Sequence, residues 1–216
     1  MSLAAAQTPM GISLGWNCNS AMHGVAHGLR PRKEQGYRTC PFDKCISNPE
    51  GIAACFSEDF AHFCDPQHLA LVEAPFSTGG IRRGERLLCN THYGFVFNHE
   101  SPDHRQPGHA PIWQNEAWQG GALHFVADGF AEFRRRYEAR IANLRAYMAD
   151  PTIRVRFLLT VPALGAGAAP EEEALHAAIA AAYPAATFEV QRLGAPEGEE
   201  AFVREHFALM GSARSS

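Results

Sequence analysis

The chain has 216 residues, 46% hydrophobic and 19% charged, enough apolar side chain to build the core of an ordinary globular protein. Its formal charge of −4, with both signs interspersed, gives no positive field to hold nucleic acid or an anionic membrane. No run approaches the roughly 20 apolar residues that span a bilayer, and the first residues lack the charged segment and apolar centre of a secretion signal. The expectation is a cytoplasmic protein, a single domain over 1–216 with flexible ends at 1–10 and 211–216.

In chain order, ISLG predicts a strand over Gly11 to Leu14, a turn at Gly15, and a helix from Cys18 to Leu29 that Asn17 caps and Pro31 follows. GYRTCPFD predicts a second short strand stopped at Pro41. A helix over Asn48 to Phe63 carries Pro49 in its first turn and puts Ile52, Phe56, Phe60 and Phe63 on one face. Glu73 to His92 is mixed, with turns at Gly79, Gly80 and Gly84. HYGFVFNHE then alternates as a strand, and 101–121 form a long Pro- and Gly-rich loop of the kind that often carries function.

The strongest helix begins at Asp128, with Phe130, Phe133, Tyr137, Ile141, Leu144 and Met148 in one stripe. Pro151 ends it, and VRFLLTV reads as a strand buried on both faces. A link at 165–170, a helix from Glu171 to Ala182, a strand from Thr187 to Arg192 and a helix from Glu199 to Met210 complete the chain. Strands alternate with helices throughout, which predicts an α/β fold: a three-layer sandwich with a mainly parallel sheet.

Six cysteines lie at 18, 40, 45, 55, 64 and 89, none in a CxxC pair, so neither a zinc ribbon nor a redox pair is expected. Most should be reduced, buried fillers. Cys18 differs by its place. A strand-turn-helix junction exposes unpaired N–H groups and the positive end of the helix dipole, which favour a thiolate and can hold an oxyanion or a phosphate. The alternative is that Cys18, Ala21, Met22 and Val25 form a buried face without chemistry.

His99, just past a strand end and followed by His104 and His109, is either a general base or a surface histidine. Asp43 can orient His99, pair with an arginine, or cap the turn after Pro41. Arg136 and Arg140 share a row beside the apolar stripe and either bind an anion or lie solvated among Glu132 and Glu138. His23 and His27, four apart without an HExxH glutamate, read as a solvated pair. One glycine pair in GISLGWN is no nucleotide fingerprint. No cofactor and no metal site are expected.

SLGWNCNSA, CPFD, YGFVFNHE and YEARI, in this order over about residues 11–160, resemble the signature blocks of an uncharacterised bacterial family described as papain-like cysteine peptidases. The resemblance implies Cys18 as nucleophile and His99 as base, with Asp43 and Arg140 at motif positions of unassigned role. It also implies a papain-like α+β fold as the alternative to the sandwich. A third member after the histidine would be Glu100, Asp103 or Asn115. Lys44 stands where the family has tryptophan, and Ala139 where it has the first of two arginines.

Three functions are thus in play. The first is a cysteine-dependent hydrolase or acyl transferase acting on a small-molecule or peptide substrate. The second is a sugar- or phosphate-ligand transferase or binding domain, with Gly15, Asn17 and Arg140 holding the anion. The third is a non-catalytic interaction module.

Overall fold

The computed structural model describes residues 7–15, 18–75, 77, 81–106, 108–160 and 169–193. It is a mixed α/β fold with two three-stranded sheets. One is parallel, in the order β1 (Thr8–Gly15), β5 (Ile153–Thr160), β6 (Phe188–Leu193); the other is antiparallel and consecutive, β2 (Leu69–Glu73), β3 (Arg86–Asn90), β4 (Phe95–Val96). The helices are α1 (Cys18–Ala26), α2 (Pro49–Ser57), α3 (Ile112–Asn115), α4 (Ala131–Ala149) and α5 (Ala169–Ala182). No helix among the described residues is long and apolar enough to cross a membrane.

The parallel half follows the sequence closely. β5 is central, and its last four residues are fully buried, as a strand covered on both faces must be. β1 starts at Thr8, so Thr8 to Met10 belong to the sheet and not to a flexible end. α1 stops three residues short of Leu29, because Gly28 turns left-handed (φ 66) and the N–H of Leu29 reaches back to the Gly24 carbonyl. That turn delivers Arg30 toward the 41–44 segment.

Other expectations also needed correction, among them the helix over Asn48 to Phe63, which ends at Ser57. GYRTCPFD is not a strand: Pro41–Lys44 is a 3-10 turn. Pro41 starts it, and the Asp43 carboxylate accepts the Cys40 N–H at 2.8 Å, a local cap that competes with any ladder. HYGFVFNHE pairs only at Phe95 and Val96. Tyr93 to Phe97 are all buried, so the alternation reflected no solvent face, and Asn98–Glu100 form another 3-10 turn. The helix expected from Asp128 begins at Ala131, after three left-handed residues, Asp128, Gly129 and Phe130.

Loop 101–121 contains α3 and buries Ser101, His104, Ile112 and Trp118. The antiparallel sheet had no counterpart in the expected order, and the helix from Glu199 and the tail at 211–216 lie outside the described residues.

The main core joins the two sheets through aromatic rings. Phe42 sits 5.9–6.3 Å from Phe56, Phe60, Phe63 and Phe95, mostly tilted or edge-on. Such pairs contribute about 0.5–1.5 kcal/mol each beyond area burial. The α4 stripe packs Phe133 and Tyr137 against Phe97, at 4.6 and 4.8 Å. α4 thereby presents Arg140, one turn beyond Tyr137, to Glu100.

Candidate functional site

The turn before Cys18 is built on a closed ring of hydrogen bonds. The Gly15 N–H donates to Ser13 Oγ (3.1 Å), Ser13 and Ser20 hydroxyls meet at 3.0 Å, and Ser20 Oγ donates to the Gly15 carbonyl (2.5 Å). With the one Ser20 proton used there, Ser13 is the donor to Ser20. Thr160, at the end of β5, adds its hydroxyl to the Gly15 carbonyl at 3.0 Å. Ser13, Ser20 and Thr160 are fully buried, so the ring joins β1, α1 and β5 in a dry environment.

Gly15 has φ 101, a conformation open to glycine, and a register shift separates it from Ser13. Its own N–H is taken by Ser13, so Gly15 shapes the turn and does not offer that donor to an anion. Asn17, the other expected anion-binding residue on the turn, lies outside the described residues.

All six cysteines are thiols. Cys40, Cys45, Cys55, Cys64 and Cys89 all have their thiols pushed up first by burial, Cys64 and Cys89 to about 12. Cys40, Cys45, Cys55 and Cys89 are buried, and Cys64 is half-buried. Cys18 is half-buried and is the first residue of α1.

Two buried carboxylates are held by arginine and tyrosine side chains, Asp43 by one arginine and Glu100 by two. Asp43 accepts from Arg30 Nη1 (2.6 Å), Tyr37 Oη (3.0 Å) and the Cys40 N–H, while Arg30 stacks over the Tyr37 ring at 4.1 Å. Glu100, fully buried, takes Arg136 Nη1 at 3.0 Å, Arg140 Nη2 at 3.4 Å and Tyr137 Oη at 3.1 Å. Arg140 lies over the Tyr137 ring at 4.4 Å. Burial first, and then the neighbouring carboxylate, pushes both tyrosine hydroxyls far up, so they stay donors.

Cys45 is enclosed between these clusters, and after burial the charges acting on its thiol are Glu100, Arg140, Asp43 and Cys18.

Of the three roles open to Asp43, two are realised together: it pairs with an arginine and it caps the turn. Its oxygens are committed to Arg30, Tyr37 and Cys40 and do not orient His99. Arg136 and Arg140 converge on an anion, but that anion is Glu100 of the chain itself. Arg134 and Arg135, in contrast, lie beside Glu138 and Glu132.

Positive charge remains in excess. Lys33 is held below its usual value by desolvation, then by Lys44 and Arg140, with Asp43 opposing and Arg30 adding. Arg140 Nη1 and Arg30 Nε are buried with no hydrogen-bond partner. Two such orphaned donors are what a bound oxyanion would satisfy.

His99 is half-buried in the 3-10 turn after β4. Desolvation lowers its pKa, opposed by Glu100 and reinforced by Lys44 and His104, so the ring is neutral at neutral pH. The structure records no hydrogen bond to its ring from a described side chain. The possible third members are engaged elsewhere: Glu100 as above, Asp103 with Arg86 at 2.7 and 2.8 Å, and Asn115 with the Ala110 carbonyl at 3.2 Å. His104 is buried with Nδ1 3.2 Å from Glu85, and His109 is exposed.

The His23 and His27 rings stand edge to face at 5.9 Å. Residues able to hold a metal gather instead at the antiparallel sheet, in two sets that share a histidine: Glu58, His62 and His92, and His62, Asp65 and His68. Sequence reasoning missed both these histidines and the Ser13–Ser20–Thr160 ring, whose members are up to 147 positions apart. Compared with models of protein families, with curated proteins and with solved structures, the chain matches none.

Proposed function

We propose that the chain is a cysteine-dependent hydrolase or acyl transferase that reacts through Cys18. One contrast carries the reading. Four of the six thiols are buried, and a fifth, Cys64, is half-buried but pushed up to about 12. Cys18, in contrast, is half-buried and heads a helix that a buried hydroxyl ring ties down at Ser20. Helix-start thiols have their thiolate favoured by the positive end of the helix dipole. The neutral His99 imidazole would take the thiol proton. The sulfur would attack a carbonyl carbon to give a thioester as the leaving amine or alcohol takes that proton, and water or a second acceptor would then release the acyl group. The resemblance of the four sequence blocks to the papain-like family supports the same roles.

The reading takes the parallel sheet and its helices as the centre of a three-layer α/β sandwich, with the antiparallel sheet as an addition. It also takes the site to lie in a cytoplasmic enzyme that acts on a small molecule or a peptide. The test is labelling by a thiol-directed electrophile at neutral pH. One adduct per chain at Cys18, lost in Cys18→Ala, supports the reading; equal labelling in that variant removes it.

A second reading, a sugar- or phosphate-ligand transferase or binding domain, is favoured by the orphaned donors of Arg140 and Arg30 and by the excess of cations around Lys33 and Lys44. It predicts that inorganic phosphate raises the Tm more than chloride at equal ionic strength, and that Lys44→Met weakens this. The two readings join if the substrate carries an acidic group.

A further inference from the structure

We propose that His62, Asp65 and His68 form a binding site for a divalent transition-metal ion of the zinc class, on the antiparallel sheet and independent of Cys18. HFCDPQH supplies all three ligands around the 3-10 turn Pro66–His68, and the turn after β3 sets His92 beside them.

The geometry is that of a coordination shell slightly expanded. Asp65 Oδ2 lies 3.9 Å from His62 Nδ1 and 3.9 Å from His68 Nε2, too far for hydrogen bonds. Around a tetrahedral ion with bonds of about 2.0–2.1 Å, ligand atoms stand about 3.4 Å apart and imidazole centroids about 5 Å apart. The His62 and His68 ring centroids are 4.8 Å apart. Closure on an ion needs about half an ångström of movement at Asp65.

Each ligand also keeps an atom for the metal. Asp65 uses Oδ1 to cap the 3-10 turn, accepting the Gln67 N–H at 3.0 Å, and leaves Oδ2 to the histidines. His62 Nδ1 is buried and has no hydrogen-bond partner. His92 meets Glu58 Oε2 through Nε2 at 2.9 Å, beside the three ligands.

The backbone holds the set together without an ion. The buried Asn90 side chain donates to the His62 carbonyl at 2.7 Å, and Thr91 donates to the His68 carbonyl through its N–H (2.8 Å) and its hydroxyl (3.2 Å). Asn90 and Thr91 lead directly into His92, and the His62 N–H meets Tyr93 Oη at 3.3 Å. One four-residue stretch therefore sets the positions of all three imidazoles. Their side chains, like those of Asp65 and Glu58, are 30–39% exposed, so an ion can enter from solvent. Imidazole and carboxylate donors on a borderline-soft ion favour zinc over magnesium or calcium.

The test is Zn²⁺ and Co²⁺ binding to the full chain after treatment with a chelator. The expected result is one ion per chain at micromolar affinity or tighter. The Co²⁺ form should show visible d–d bands without the charge-transfer band that a thiolate ligand adds. His68→Gln and Asp65→Asn, the second of which keeps the cap, should each weaken binding at least about tenfold, and Cys18→Ser should leave it unchanged. Absence of stoichiometric uptake, affinity unaltered in both ligand variants, or a thiolate band would overturn the proposal.

Discussion

Titratable groups gather in two regions of this molecule, and the regions are built on opposite principles. At the end of the parallel sheet, Asp43 and Glu100 are sealed from water, each gripped by arginine and tyrosine, and the cations around them exceed the anions. At the antiparallel sheet, three imidazoles and two carboxylates stand partly exposed, and Asp65 reaches His62 and His68 at distances too long for hydrogen bonds. Buried charges that complete one another make a rigid frame and lose much when one member is removed. Half-exposed ligands with spare lone pairs cost little to keep and can take up an ion. The first arrangement suits holding a reactive thiol in place, and the second suits binding.

The contrast breaks most sharply at Glu100. Glu100→Gln leaves Arg140 and Arg136 without their carboxylate and should destabilise the protein by about 3–5 kcal/mol, read by chemical denaturation. A loss under about 1 kcal/mol would show that water already screens the cluster.

Next is the ring under Cys18. Ser20→Ala removes a donor to the Gly15 carbonyl and an acceptor for Ser13, at a cost of about 1–3 kcal/mol. It should also slow electrophile labelling of Cys18, since the turn loses its brace.

A smaller effect comes from His99. Its pKa in the folded protein is lowered, chiefly by desolvation. The unfolded chain therefore binds the proton more readily. The stability this ring contributes is complete above the unfolded value of about 6.5 and is lost as pH falls from there toward the lowered value. Tm should thus fall less over that interval in His99→Gln than in the unsubstituted protein.

Smallest of all, His68→Gln in the metal-free chain should change stability by about 1 kcal/mol or less, because its partner is a partly exposed carboxylate at 3.9 Å. The same substitution has its large effect only on ion binding.

The parallel half of the fold was legible because local signals agreed with the tertiary result. The apolar run of β5, the stripe of α4, and Pro49 at the start of α2 under the Asn48 cap each point one way. The antiparallel half was not. β3 reads RLLCN with four of five positions buried, so it shows no alternation, and Tyr93 to Phe97 alternate by size while every position is inside.

Around the candidate site, Cys18 could be singled out from its junction, and Asp43 and Arg140 could be named though not paired. The row shared by Arg136 and Arg140 left open whether they bind an anion or lie solvated, and nothing local marked Glu100 as their partner. Ser13, Ser20 and Thr160 are common residues whose meaning exists only once two strands and a helix meet. The HxxDxxH spacing at 62–68 was present in the chain, and His92 joins it only through the hydrogen bonds of Asn90 and Thr91.

The claim on which the account depends is tested most directly by the pH–rate profile of Cys18 alkylation, followed by mass spectrometry in the unsubstituted protein and in His99→Gln. A helix-start thiolate coupled to a histidine should react with an apparent pKa within about 3.5–7.5, and the profile should change when the imidazole is removed. A profile that rises only near the free-thiol value of about 8.5 and is the same in both proteins would contradict it.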